Sequence, residues 1–344
     1  MELSPRKRAI LAAVTKAYID TGEPVGSKAL TLMLKNAPSS ATLRNEMSEL
    51  CELGLLTQPH TSAGRLPTSR GFKIYVDSLM TPEKISDTVK SYIDRGLSEI
   101  NEAPEKIPAA AGRVLTDLTG LPVITCLFAG SSPTVRRIES LHIGRNSVLL
   151  LVITSDGRAR NTVLRLGSEF TPALAEKFSE TVKRRIKGKT VSELTMAYMQ
   201  SIAAETGIDA FSLTPLLSAV FEMVKGIEAS SVSLSDEAAL YNICESEDAA
   251  RRIISLVNAR EPVLSILDGI DGKVGVIFGK ETGFRELETE TVVAAKFNGA
   301  DKYKGAIGII GPNRMSYGQI IPSVEYIALR LTDIMTEAQK DMEE

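Results

Sequence analysis

At 344 residues and 43% hydrophobic content, the chain has room for two or three packed domains. Its net charge of −3 argues against a protein that is basic throughout, no apolar run reaches the roughly 18 residues of a membrane span, and Cys51, Cys126 and Cys244 lie too far apart for a metal knuckle. The N-terminal MELSPRKRAI has no apolar stretch leading to a cleavage site, so a cytoplasmic protein with reduced thiols is expected.

The charge is unevenly spread. Residues 1–80 hold ten Lys and Arg against seven Asp and Glu, a balance of +3, and the remainder is acidic. A modestly basic head on an acidic body is expected when one domain alone faces phosphates. Ser4-Pro5 starts a helix, with a capping hydroxyl followed by proline at the first turn. Ile10, Leu11, Val14, Ala17 and Tyr18 recur on one face, and Gly22 with Pro24 ends it. A second short helix begins at Ser27 and stops before Pro38. A third opens at Ser39-Ser40 and runs to Gly54. Helices this short must pack together to bury their faces.

On the third helix, Leu43, Met47 and Leu50 share one face at 100° per residue, and Ala41, Arg44, Asn45, Ser48 and Glu52 share the other. Small residues permit close approach to a groove floor; Arg suits guanine or phosphate, and Asn suits adenine. The same pattern also describes an ordinary solvated face. Leu55-Leu56 then reads as a short strand entering the loop TQPHTSAGRLPTSRG, 57–71, and Leu66-Pro67 as the way out. A hairpin behind a helix-turn-helix is a wing, whose tip can lie on a phosphate backbone or in a minor groove. The candidate DNA-binding residues are therefore Ser39, Ser40, Thr42, Arg44, Asn45 and Ser48 on the helix. His60, Thr61, Ser62 and a protruding Arg65 beside a flexible Gly64 complete them in the wing. His60 reads equally as a surface histidine.

From Ser69 a helix returns with Phe72, Tyr75, Val76 and Leu79, and another after Pro82 carries Ile85, Val89, Ile93 and Leu97. APEKIP, 103–108, reads as a linker. Strands are expected at 122–129, 135–143 and 147–166, with a hairpin turn at SDGR, 155–158. A helical block follows over about 171–258. Strands resume at PVLSILDG (262–269), KVGVIFGKE (273–281), VVAAKFNG (292–299) and KGAIGIIGP (304–312), and an amphipathic helix closes the chain over about 320–341. This order describes one α+β domain interrupted by an insertion.

An enzyme is not expected. The chain has no phosphate loop of the GxxxxGK[ST] kind and no HExxH. Its histidines are His60 and His142, and His142 lies in an alternating strand. Asp268 and Asp271 read as a turn or a cation site, with the turn favoured. Gly305, Gly308 and Gly311 lack the following helix of a dinucleotide fold. In GPNRMSY, 311–317, Arg314 either captures a ligand or pins a turn.

The runs EPVGSKAL (23–30), SSATLRNEMSELCELGLLTQPHTSAGRLPTSRGFKIYVD (39–77) and IGIIGPNRMSYGQIIPSVEYIA (307–328) closely resemble the heat-inducible transcription repressor family, HrcA. LMLKNAP at 32–38 departs from the glycine-containing turn usual there. The resemblance implies an α+β multidomain chain: a winged helix-turn-helix at 1–80, a helical linker at 81–108, a GAF-like domain from 109–170 and 261–344, and an inserted dimerisation domain at 171–260. It implies a repressor of chaperone operons that binds double-stranded DNA at an inverted-repeat operator as a homodimer, depends on the chaperonin, and needs no cofactor or metal. The alternatives are a winged-helix repressor whose body binds a small effector, and an enzyme with a DNA-tethering head.

Overall fold

The protein is described by a computed structural model covering residues 3–34, 37–60, 63–81, 83–128, 133–155, 157–205, 210–228, 230–299 and 303–343. Its head begins with α1 (Pro5–Thr21), where the Ser4 hydroxyl accepts from the Lys7 amide and Gly22, at φ 75°, turns the chain out. A left-handed cap of this kind suits glycine, which has no Cβ to clash. Next come α2 (Ser27–Met33) and α3 (Ser40–Glu52), then an antiparallel hairpin of β1 (Leu56–Thr57) and β2 (Leu66–Pro67). Leu11, Val14, Leu30, Leu43, Met47 and Leu50 form one small core with Leu55 and Leu56 of the hairpin entry. Part of the 32–38 turn, Lys35 and Asn36, lies outside the described residues.

The helix α4 (Ser69–Ile74), extended by a π-turn over Tyr75–Leu79, seats the head on the body. Phe72, on α4, belongs to the body's core rather than the head's. Two further helices, α5 (Asp87–Ser98) and α6 (Ile107–Thr119), precede strand β3 (Val123–Leu127). Residues 81–108 are therefore no mere linker. Ile93 and Leu97 of α5 are buried in the body core, and APEKIP is a 3-10 turn running into α6. Pro104 and Pro108 occupy first-turn positions, where a missing N–H costs nothing.

The three-stranded antiparallel sheet of β4 (Val135–Gly144), β5 (Ser147–Thr154) and β6 (Ala159–Arg165) follows. Packed on one of its faces are α7 (Pro172–Arg185), α8 (Met196–Glu205) and α9 (Ala210–Glu228). The second half of the body comprises β7 (Ser231–Leu234), α10 (Glu237–Ile243), α11 (Glu247–Ala259), α12 (Glu261–Asp268), β8 (Gly275–Phe278), the single turn α13 (Gly279–Thr282), β9 (Glu290–Gly299), β10 (Tyr303–Pro312) and α14 (Tyr317–Glu343). Strands β7-β3-β10-β9-β8 form an antiparallel five-stranded sheet.

That sheet is buried on both faces, and the strand period of two assigns its residues. Val123, Leu127, Val293, Phe297 and Ile307 face α5, α6 and α14, whereas Ile124, Cys126, Val292, Ala294 and Ala306 face α11 and α12. Gly305 is required by proximity: a Cβ there would strike the Cys126 carbonyl and the Phe297 ring.

Two expectations change here. PVLSILDG is helix α12, not a strand: Pro262 sits in its first turn, and Val263, Ile266 and Leu267 are buried at i, i+3, i+4. The helical block also conceals β7, which pairs with β3 at the edge of the body sheet. The insertion consequently moves. Residues from Val135 to Ile227 share one core, so β4–β6 belong with α7–α9, while α11 lies on the body sheet. Boundaries at 170 and 261 cut across both units. Among the described residues, no helix is long and apolar enough to cross a membrane.

Candidate nucleic-acid interface

The head presents a groove of ≈ 620 Å³ between α2, α3 and the hairpin, lined by Gly26, Lys28, Arg44, Asn45, Gly64 and Arg65, among others. Its outer wall is α3. The Ser39 hydroxyl accepts from the Thr42 amide at 3.2 Å and lies 2.9 Å from the Thr42 hydroxyl, fixing the helix start. The Ser40 hydroxyl lies 2.9 Å from that of Ser27, tying the first turns of α2 and α3 together. With Leu43, Met47 and Leu50 buried, Arg44 and Asn45 are exposed and Ser48 is half-buried.

The opposite wall is the hairpin's exit. Val25 and Arg65 exchange backbone hydrogen bonds, each of 2.8 Å, and extend the two-stranded ladder by one bridge. Gly64 is not a free hinge: a Cβ would begin 2.5 Å from the Val25 carbonyl carbon, so glycine lets the two backbones meet. Arg65 is thus anchored at the base of the hairpin, half-buried, with Nη1 donating to the Ala63 carbonyl at 3.4 Å. Its buried Nε has no hydrogen-bond partner among the described residues. Gln58 Nε2 also donates to Ala63 O, at 3.0 Å, bracing the hairpin from its other strand. His60 is exposed, whereas Thr61 and Ser62 lie outside the described residues.

The groove's charge is left available by what lies behind it. Lys7 reaches Glu49 at 2.7 Å and Glu46 at 3.4 Å, and Arg6 reaches Glu46 at 3.6 Å. The hydrogen bond to Glu49, helped by Glu46, holds the Lys7 ammonium above its ordinary pKa. Two of the carboxylates of α3, Glu46 and Glu49, are thereby engaged by α1. Among the described residues, Lys28 and Arg44 have no ion-pair partner. Lys28 was absent from the sequence-based set; its place in the first turn of α2 beside Gly26 was the available clue.

An aromatic row anchors the head to the body. Tyr18 meets Phe72 at 6.2 Å, and Phe72 meets Phe278 and Tyr317, both at 6.4 Å between ring centroids. Lys73 pairs with Glu281 at 2.7 Å. Elsewhere, His142 stacks on Phe170 at 6.3 Å, and Asp268 is engaged by Lys296 at 3.5 Å. Burial pushes the Cys126 thiol up to about 12 and that of Cys244 up to about 11, far from a reactive thiolate.

A basic, amide- and hydroxyl-lined groove on a small head, seated on a mixed α/β body, belongs with the transcription repressors to which the chain is related. A family model described as "HrcA protein C terminal domain" matches residues 105–321. The heat-inducible transcription repressor HrcA of Clostridium perfringens is 31% identical over 350 residues, covering 99% of this chain and 98% of that relative. The protein of the same name from Caldanaerobacter subterraneus is 28% identical, covering 99% of each chain. The chain belongs to the HrcA family. A crystal structure of a protein described as hypothetical shares the fold with a TM-score of 0.64 and 22% identity, over 98% of this chain and all of the other.

Proposed function

We propose that the chain is a heat-inducible repressor whose head is a winged helix that binds an inverted-repeat operator in front of chaperone genes, two copies supplying the two half-sites. The observation that carries this reading is the groove, where Lys28, Arg44, Asn45 and Arg65 converge between a helix and a hairpin. In this reading α3 enters the major groove with Arg44 and Asn45 on base edges. Ser39, Ser40, Thr42, Ser48 and Lys28 hold phosphates, and the hairpin, with Arg65, His60, Thr61 and Ser62, follows the backbone or the minor groove. Repression is occlusion, with no covalent chemistry.

Support for a homodimer comes from the insertion. One face of β4-β5-β6 packs on α7–α9. On the other, Leu141, Leu149 and Val163 stand side by side by register, with Leu141 60% and Val163 61% exposed. A second copy covers this face, holding the heads at fixed spacing. The body is the GAF-like domain. Heating loosens the dimeric body, the heads lose that spacing, and the chaperonin restores the active fold; under stress it is occupied by other unfolded chains and repression lapses.

A footprint on DNA from the upstream region of the organism's chaperonin genes tests this. Protection of both arms of one inverted repeat is expected, lost after modest heating and restored by chaperonin with nucleotide. Protection unaffected by heating, or no protection of a repeat, contradicts the proposal.

A further inference from the structure

At the joint between head and body lies a second cavity, of ≈ 530 Å³, between the start of α5, the end of α6 and the start of α14. Its volume is that of a small-molecule site. Ile85, Val89, Leu118, Leu121 and Ile320 give it an aliphatic stripe, interrupted by the hydroxyls and amide of Ser86, Thr119, Gln319 and Ser323. The mouth is cationic. Lys84 and Arg314 are both exposed and, among the described residues, neither has an ion-pair partner. The cavity's carboxylate, Glu83, lies against Gly318 in the first turn of α14, and two cations against this one anion leave the mouth net positive.

Arg314 also belongs to the head's seat. Its guanidinium packs on Gly22, the cap residue of α1. The last turn of α1 has no basic residue of its own, so Arg314 supplies positive charge where the helix's free carbonyls gather. Beyond Glu83, Ser316, Gly318 and Gln319 lies another cavity, of ≈ 620 Å³, lined by Ala13, Lys16, Asp20 and Tyr75 of the head. The wall of the first cavity is therefore also the floor on which the head rests.

We propose that the ≈ 530 Å³ cavity is an effector site for a medium-chain aliphatic carboxylate. The carboxylate pairs with Arg314 and Lys84, the chain lies on Ile85, Val89, Leu118 and Ile320, and recruitment of Arg314 frees the end of α1 and lowers operator affinity. The site itself stands on the cavity; its effect on DNA rests on the operator-binding reading above.

The test uses the full chain with hexanoate as probe, against hexanol (the tail without the charge) and acetate (the charge without the tail). Millimolar hexanoate is expected to raise the melting temperature by a few degrees, because a ligand that binds the native state stabilises it. Hexanol and acetate should not. Arg314→Gln, and Lys84→Gln on the exposed stretch before α5, should each weaken the response about tenfold. Hexanoate should also weaken operator binding about tenfold in the wild type and leave Arg314→Gln unmoved. No melting shift with hexanoate, or an undiminished shift in Lys84→Gln, overturns the site. A melting shift with unchanged operator affinity overturns the coupling. Failure to bind operator without any hexanoate counts instead against the DNA-binding reading, since the melting shift does not depend on it.

Discussion

The head groove and the open face of the insertion are both uncovered surfaces, and their chemistry is opposite. The groove offers Lys28, Arg44 and Asn45, groups that water solvates at little cost and that phosphate or base edges can take over. The sheet face offers Leu141 beside Leu149 beside Val163, groups whose exposure water penalises. An apolar patch built on register-matched strands asks for a permanent cover, whereas a polar groove suits a partner that comes and goes.

The sharpest way to break the connection between head and body is at the seat. Phe72 is 2% exposed and touches Tyr18, Phe278 and Tyr317. Phe72→Ala is expected to cost about 3–5 kcal/mol in urea unfolding and to weaken DNA binding although the groove is untouched. Wild-type stability in this variant would show head and body to be independent. The insertion face comes next. The double variant Leu141→Asp, Val163→Asp places charges on exposed positions, so folding should survive while dimer formation weakens by about 2–4 kcal/mol. Sedimentation of an intact dimer would put the interface elsewhere.

Smaller effects separate roles within the groove. Arg65→Ala should reduce specific and non-specific binding together and lower the salt slope by about one; an unchanged slope removes the hairpin from the contact. Smallest is a test of the body alone. Glu290 is 2% exposed, with Oε2 unpartnered among the described residues and Oε1 accepting from the Thr289 hydroxyl at 3.1 Å. Burial raises its pKa, and the nearby Glu245 carboxylate adds to this against the opposing Thr289 hydrogen bond. Because the folded state favours the neutral acid, stability should be intact below the unfolded carboxyl pKa and decline as pH rises through the folded value. Glu290→Gln should therefore raise the melting temperature at pH 8 more than at pH 4. Equal shifts at both would place the carboxylate in water.

Much of the head was legible because its signals are local. Ser4, Gly22 and Ser39 mark helix ends, and the 100° spacing separates Leu43, Met47 and Leu50 from Arg44 and Asn45. From the sequence Arg65 reads as a protruding wing residue, and its strap to Val25, forty residues earlier, leaves no local signal. In the body, PVLSILDG shows how an eight-residue apolar run fits either period; the proline in its first turn was the better guide. The insertion's edges were hidden for another reason. SVSL joins Ile124 through a partner more than a hundred residues away, and no local pattern says which of two sheets a strand will enter.

Reading of operator DNA by the groove depends on Arg44 and Asn45. Fluorescence anisotropy on the inverted repeat and on a scrambled duplex, comparing wild type with Arg44→Ala and Asn45→Ala, tests it most directly. A loss of about 1–3 kcal/mol is expected for each variant on the repeat, with little change on the scrambled duplex and relaxed preference at one base pair per half-site. Wild-type affinity and wild-type preference in both variants would contradict it.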